Sequence, residues 1–553
     1  MRRALARLTA LLALPAAAAA AQPPRPPVDL VVLLTVDQLR PDYLQRWRHQ
    51  LTGGLATLHR TGLFFPNGQQ DHALTETAPG HATLLSGRVP AHTGIWSNDG
   101  GVEDPATPLV GVDPLDEDGL PRGANPRRFR GTALFDWLRA ADPEARALGV
   151  SRKDRAAILP IGRARPPAAQ VVWYVDGRFV TSRYYADALP AWTAAWNARF
   201  DARTLAGRPW PLLLPDSAYP EPDDAPWENA GKDRTFPHAL PTDSAKVAER
   251  LERAPWMDSL TLDVALAGAR ANRLGTRAGA RAPDLLTISL STTDAIGHDY
   301  GPDSRELHDH VLRLDRWLGA FLDSLATLVP RARTVVVLSA DHGASPMPEK
   351  LAAEGRRVGR IDPTALVDSA GAALRARWSV DFGLVFDNGI LTGDVAALRA
   401  RGLDPEAVAA GLARRMAELP GVTRTRTPRQ LAAAPATDAA AGRWRRSLPA
   451  DLGWLVAAEA QDGWVFADGP KAAHGTMHPE SRRVPILFAG PGIPAREDAR
   501  VVRTIDIAPT LAAWLGVRPT ERLDGVVVPG LGRPPARRGE RAAAQWRSAK
   551  AGR

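Results

Sequence analysis

Three strongly apolar runs, each closely followed by an aspartate, constrain this chain more than any other feature. Val31-Val32-Leu33-Leu34-Thr35-Val36 ends at Asp37, and Leu285-Leu286-Thr287-Ile288-Ser289-Leu290 leads to Asp294. Thr334-Val335-Val336-Val337-Leu338 leads to Asp341, with His342 beside it and His298 four residues after Asp294. Continuous apolar, β-branched runs of this length read as parallel strands buried on both faces. Open α/β sheets place their ligand sites just beyond the carboxyl ends of such strands. Carboxylates and imidazoles gathered there form a ligand set for divalent metals, zinc first. The expected product is a metal-dependent hydrolase acting on an anionic substrate.

The intervening sequence predicts the supporting elements. A partly amphipathic helix is expected over 42–60, a loop entering a short helix over 75–87, and a long amphipathic helix over 307–328. Strands are expected at 171–175, 452–457 and 484–488, and helices near 363–377, 405–418 and 507–515. This alternation argues for an α/β fold with a doubly wound, mainly parallel sheet. One catalytic domain over 28–530 is expected, with cap insertions over about 100–260 and 346–468. The 16 tryptophans, many in these insertions, read mainly as cap packing.

At the amino end, Arg2, Arg3 and Arg7 precede an apolar stretch and an alanine run through Ala21. This is the pattern of a secretory signal peptide, expected over 1–21. The stretch is too short to span a bilayer comfortably, and no later segment is apolar enough to do so. With no cysteine in the chain, neither a lipid-modified cysteine nor a disulfide framework is expected, and periplasmic or secreted residence fits. The net charge of +9 invites a nucleic-acid reading, but the charge is peripheral. The three leader arginines and the seven basic residues beyond Leu531, opposed only by Glu540, account for all of it. Residues 531–553 therefore read as a basic disordered tail, and no specific nucleic-acid partner is expected.

Thr77 stands at the expected start of the 75–87 helix, where free backbone N–H groups and the helix dipole favour an anion. Alone it reads as a helix cap; next to a metal, its hydroxyl becomes a nucleophile. The ordered set Val36-Asp37-Gln38-Leu39-Arg40, Thr77-Ala78-Pro79-Gly80-His81, Ser151-Arg152-Lys153-Asp154-Arg155, Thr293-Asp294-Ala295-Ile296-Gly297-His298, Ala340-Asp341-His342-Gly343, His474-Gly475 and Asp506-Ile507-Ala508-Pro509-Thr510-Leu511 runs through most of the chain. In this set the chain resembles the alkaline phosphatase superfamily, and within it the exported, phosphate-irrepressible type that uses a threonine.

The resemblance implies two zinc ions per chain. One would be held by Asp294, His298 and His474, the other by Asp37, Asp341 and His342, with Thr77 bound nearby as nucleophile. It also implies that Asn98, Lys153 and Arg155 hold the non-bridging oxygens of a small phosphate monoester. Such a group carries nearly two negative charges, which a guanidinium fork and an ammonium suit. His478, four residues after His474, is a rival ligand without the His-Gly signature, and His81 is expected to orient the nucleophile turn. The activity implied is an alkaline phosphatase working through phosphothreonine. A phosphodiesterase or nucleotide pyrophosphatase of the same superfamily is the first alternative, though its members lack the Lys/Arg pair. A non-catalytic protein that holds surface polyanions through its basic tail is the second.

Overall fold

The computed structural model describes residues 28–381, 383–469 and 471–532. The expected signal peptide and all but the first two residues of the expected tail lie outside them. A twelve-stranded sheet organises the molecule. In chain order its strands are β1 (Leu30–Val36), β2 (Leu63–Gln69), β3 (Glu103–Val110), β4 (Gly123–Ala124), β5 (Ala147–Ser151) and β6 (Ala169–Val175). They continue with β7 (Arg178–Ser182), β8 (Asp284–Leu290), β9 (Thr334–Ser339), β10 (Arg483–Ala489), β11 (Arg496–Glu497) and β12 (Val502–Arg503). The spatial order is β11-β2-β10-β9-β1-β8-β5-β6-β7-β3-β4, with β12 on β2.

The centre, β9-β1-β8-β5-β6, is parallel throughout, while β10, β7 and β3 pair antiparallel towards the edges. Val36 pairs with Leu290 and Thr35 with Ser339, so the three apolar runs end in one row. Ser151 pairs with Ser289 and brings the end of β5 into that row.

Five helices matter most to the site: α1 (Thr77–Ser86), α2 (Trp256–Ala271), α3 (Thr292–Tyr300), α4 (Arg305–Ala326) and α5 (Ile507–Leu515). Alternation along β1 divides two cores between them. Leu30, Val32, Leu34 and Val36 belong to one, shared with Met257 and Leu262 of α2 and with Val311, Leu314 and Leu318 of α4. Val31 and Leu33 belong to the other, shared with Ala78, Ala82 and Leu85 of α1 and with Ile507 and Leu511 of α5. Helices thus cover both faces, and α3 follows β8 directly.

Two expectations need correction. The segment expected as a first insertion, about 100–260, supplies β3 to β7 to the main sheet, and only its later part lies over the helices. β5 is five residues long and carries Gly149, too short a run to stand out by pattern. The single helix expected over 42–60 is two, Tyr43–Arg46 and Gly54–Thr61. Asp315 of α4 accepts the N–H groups of Thr52, Gly53 and Ala56, so the chain breaks there to meet it. The doubly wound, mainly parallel sheet is as expected, with its antiparallel pairs lying towards the edges.

The 346–468 segment builds its own four-stranded antiparallel sheet from Leu384–Asp387, Ile390–Gly393, Trp454–Ala460 and Val422–Arg426. Helices Pro363–Trp378 and Pro405–Ala417 pack on it around Leu366, Leu374, Val408, Leu412 and Val456. Among the described residues no helix is long and apolar enough to cross a membrane.

Candidate metal centre

The aligned strand ends deliver the acidic residues to one place. Asp37 follows β1 immediately, Asp294 lies in the first turn of α3, and Asp341 follows β9 by two residues. All three are buried. Ligand atoms of Asp37, Asp341 and His342 lie within 4.8 Å of one another, and so do those of Asp294, His342 and His474. His298 Nε2 is 3.1 Å from Asp294 Oδ1 and 3.2 Å from His474 Nε2. His342 thus stands between the two groups, with its ring stacked on that of His474 at 3.7 Å.

The tautomers follow from the backbone. His298 Nδ1 donates to Ala472 O at 2.6 Å, His474 Nδ1 to Thr75 O at 2.8 Å, and His342 Nδ1 to Gly343 O at 2.9 Å. Carbonyl oxygens only accept, so each imidazole, when neutral, turns an Nε2 lone pair inward, as metal-binding histidines do. Burial favours that form at His298, and Asp294 opposes it, raising the pKa of the ring. His342 Nε2 lies 3.3 Å from Asp37 Oδ1 and 3.5 Å from Asp341 Oδ2, and these three buried atoms have no hydrogen-bond partner. Acceptors facing acceptors in a buried site are costly unless a cation lies among them. The residues therefore fit divalent metal.

The electrostatics agree. Burial, reinforced by Asp294 and Asp341, pushes the Asp37 carboxyl up to about 6. Burial acts the same way on Asp294 and Asp341, but Lys153 and His298 outweigh it at the first, and His342 and His81 at the second, holding both below the usual range. Burial and the neighbouring imidazoles keep His474 far below its ordinary value, and hence neutral, the form that ligates metal.

Thr77 is the first residue of α1, with Glu76 as the capping position. A Cβ at Gly80 would collide with the Asp341 carbonyl, so this glycine lets α1 approach the chain at Asp341. His81 Nδ1 lies 3.2 Å from Asp341 Oδ2 but donates to Thr77 O at 2.9 Å, and its Nε2 meets Ser289 Oγ at 2.9 Å. It ties the first turn of α1 to β8. Lys153 Nζ donates to Asp37 Oδ2 at 2.6 Å, to Asp294 Oδ2 at 2.7 Å and to Thr77 Oγ1 at 3.3 Å. Asn98 Oδ1 accepts the Ala78 N–H at 3.0 Å, which turns its NH2 group away from the helix. Arg155 lines the same cleft as Lys153 and Asp294. His478 lies apart, with Nε2 3.3 Å from Ala460 O.

Sequence reasoning assigned no role to three residues in this neighbourhood. Gln38 donates its N–H to Asp341 Oδ1 at 3.2 Å and its side-chain amide to Asp294 Oδ1 at 2.8 Å, bracing one carboxylate of each group. Glu76 accepts the Asn98 N–H at 2.9 Å and the Asn388 side-chain amide at 2.8 Å. Gln38 stands inside a quoted motif, but an amide carries no distinguishing signal. Asn388-Gly389, flanked by apolar residues, was a readable hairpin signal.

The profile of the type I phosphodiesterase/nucleotide pyrophosphatase family matches residues 31–481. The chain is 31% identical over 528 residues to alkaline phosphatase PafA of Elizabethkingia meningoseptica, covering 88% of this chain and 92% of that protein. It is 31% identical over 526 residues to alkaline phosphatase PhoK of a Sphingomonas species, covering 90% of each. The crystal structure of PafA superposes with a TM-score of 0.83 at 29% identity, over 92% of this chain and 99% of that one.

Proposed function

The chain belongs to the type I phosphodiesterase/nucleotide pyrophosphatase family of the alkaline phosphatase superfamily, and on that premise we propose that this phosphomonoesterase is an exported zinc enzyme working through a phosphothreonine at Thr77. Asp294, His298 and His474 would hold one ion, and Asp37, Asp341 and His342 the other. Bound there, zinc supplies Lewis acidity that favours the ionised threonine hydroxyl and the departing oxygen. Thr77 Oγ1 forms a bond to phosphorus as the bond to the leaving alcohol breaks, and water then hydrolyses the phosphothreonine. Asn98, Lys153 and Arg155 stabilise the non-bridging oxygens. The leader sequence supports export.

The observation that carries this reading is the position of Lys153, whose ammonium lies 3.3 Å from Thr77 Oγ1 between two carboxylates of the metal groups. A cation there suits a phosphoryl group with a full complement of charged oxygens. An apolar face, which would suit the second ester group of a diester, is not what meets the threonine.

The test combines metal analysis with acid-quench trapping. The wild-type protein should contain about two zinc ions per chain and yield a phosphopeptide carrying Thr77 after brief exposure to a monoester. Thr77→Ala should lose the phosphopeptide and keep its zinc. Covalent phosphate on the Thr77→Ala variant would refute the nucleophile assignment.

A further inference from the structure

Beside the metal groups a cleft of about 610 Å³ opens, with Lys153, Arg155 and Asp294 at its inner end. This volume is in the range of small-molecule sites. Its outer wall is the loop between β3 and β4, residues 111–122. Asp116 closes that loop on itself, accepting the N–H groups of Asp118 at 3.0 Å and Leu120 at 2.7 Å. The loop thereby presents Leu120, a leucine left 61% exposed, to the cleft. Leu109 and Pro121 extend the apolar wall.

The charges of the cleft are unevenly committed. Arg152 is paired with Glu252 at 2.9 Å and Arg122 with Asp176 at 2.7 Å. Lys153 lies between Asp37 and Asp294 at the inner end, and Arg155 is paired with Asp154 at 3.5 Å. Glu103 remains on the lining, where burial and then Asp154 raise its carboxyl against the opposing effect of Arg155. An anionic group entering beyond the phosphoryl group meets the Glu103 carboxylate, and the cations there already have partners.

We propose that this cleft is the leaving-group subsite and that it takes an uncharged, partly apolar alcohol, such as an aryl or nucleoside group, in preference to one bearing its own anionic charge. The inference rests on the monoesterase reading above. Leu120 and its neighbours cover the apolar face of the alcohol, and Glu103 repels a second anion.

The test compares phenyl phosphate with 4-(carboxymethyl)phenyl phosphate on the zinc-loaded full chain. The methylene keeps the two phenols similar in acidity, so the comparison reads charge. Phenyl phosphate should be favoured in kcat/KM by about fivefold, and Glu103→Gln should bring the ratio towards one. Leu120→Ala should lower kcat/KM for phenyl phosphate about threefold and leave methyl phosphate unchanged. Calorimetric binding of the two corresponding phosphonates should show the same preference and the same response to Glu103→Gln. A ratio near one in the wild type, or a ratio that Glu103→Gln does not move, overturns the subsite while leaving the monoesterase reading intact. Failure to turn over any monoester overturns that reading and the subsite with it.

Discussion

Lys153 has the most consequential position of any single side chain in the site. Its ammonium is buried, held by Asp37 and Asp294, and within reach of the Thr77 hydroxyl. A compact point charge can serve both carboxylates and a substrate oxygen, whereas a planar guanidinium needs more room and a different set of angles. Lys153→Ala should therefore lower kcat/KM for a monoester by about 10²-fold or more, the scale of losing one preorganised charge partner. A diester with the same leaving group, having one fewer charged oxygen, should lose much less. Lys153→Arg should not restore the monoester rate. Equal losses on the two substrates would remove the basis for assigning Lys153 to a monoester oxygen.

At the scale of elements, the 346–468 segment reaches the start of α1 through the tip of one hairpin. Strands Leu384–Asp387 and Ile390–Gly393 are joined by Asn388 and Gly389, with φ of 41° and 103°. Two successive positive φ values are the requirement of a tight hairpin turn, which Asn-Gly meets at little cost. The turn aims the Asn388 amide at Glu76, which also holds the Asn98 backbone. Asn388→Gly keeps the turn and removes only the amide. It should weaken monoester kcat/KM about tenfold with zinc content and melting temperature nearly unchanged; a parallel loss of zinc would mean a structural role instead. This hairpin also marks the limit of what pattern reveals. The three central strands were legible because burial on both faces writes them as continuous apolar runs, and Asp37, Asp294 and Asp341 came with them. The helix at 305–326 was legible because one face is buried and the other wet. β5 is short and leans on neighbours distant in sequence, and the 384–393 hairpin carries a turn signal but no sign of where its tip docks. The link from Asn388 to Glu76 spans 312 residues and exists only after the 346–468 segment has folded.

For the whole molecule, the segment packed over α3 also buries a titrating group outside the metal centre. Glu228 is only 2% exposed, and burial, with Glu306 and Asp223 beside it, pushes its carboxyl up to about 9 against the opposing effect of Arg234. His238 donates to Glu306 of α4 at 3.0 Å and lies 3.1 Å from Asp233; although burial opposes it, these carboxylates raise its pKa. The signs agree. Between the ordinary glutamate value and about 9, the native state keeps the Glu228 proton that the unfolded chain has released, so stability falls as pH rises across that window. The contribution of His238 is likewise complete below its unfolded value and is lost as pH climbs through its raised native one. Urea midpoints measured at about pH 6 and about pH 9 should therefore drop for the wild type and drop less for Glu228→Gln. Metal binding works in the opposite direction, since ligands bind better as their protons leave, but both proteins share the same metal groups and that effect cancels in the comparison. The difference between their midpoints isolates the buried acid, and identical pH dependence in the two would show that Glu228 is not protonated in the native state.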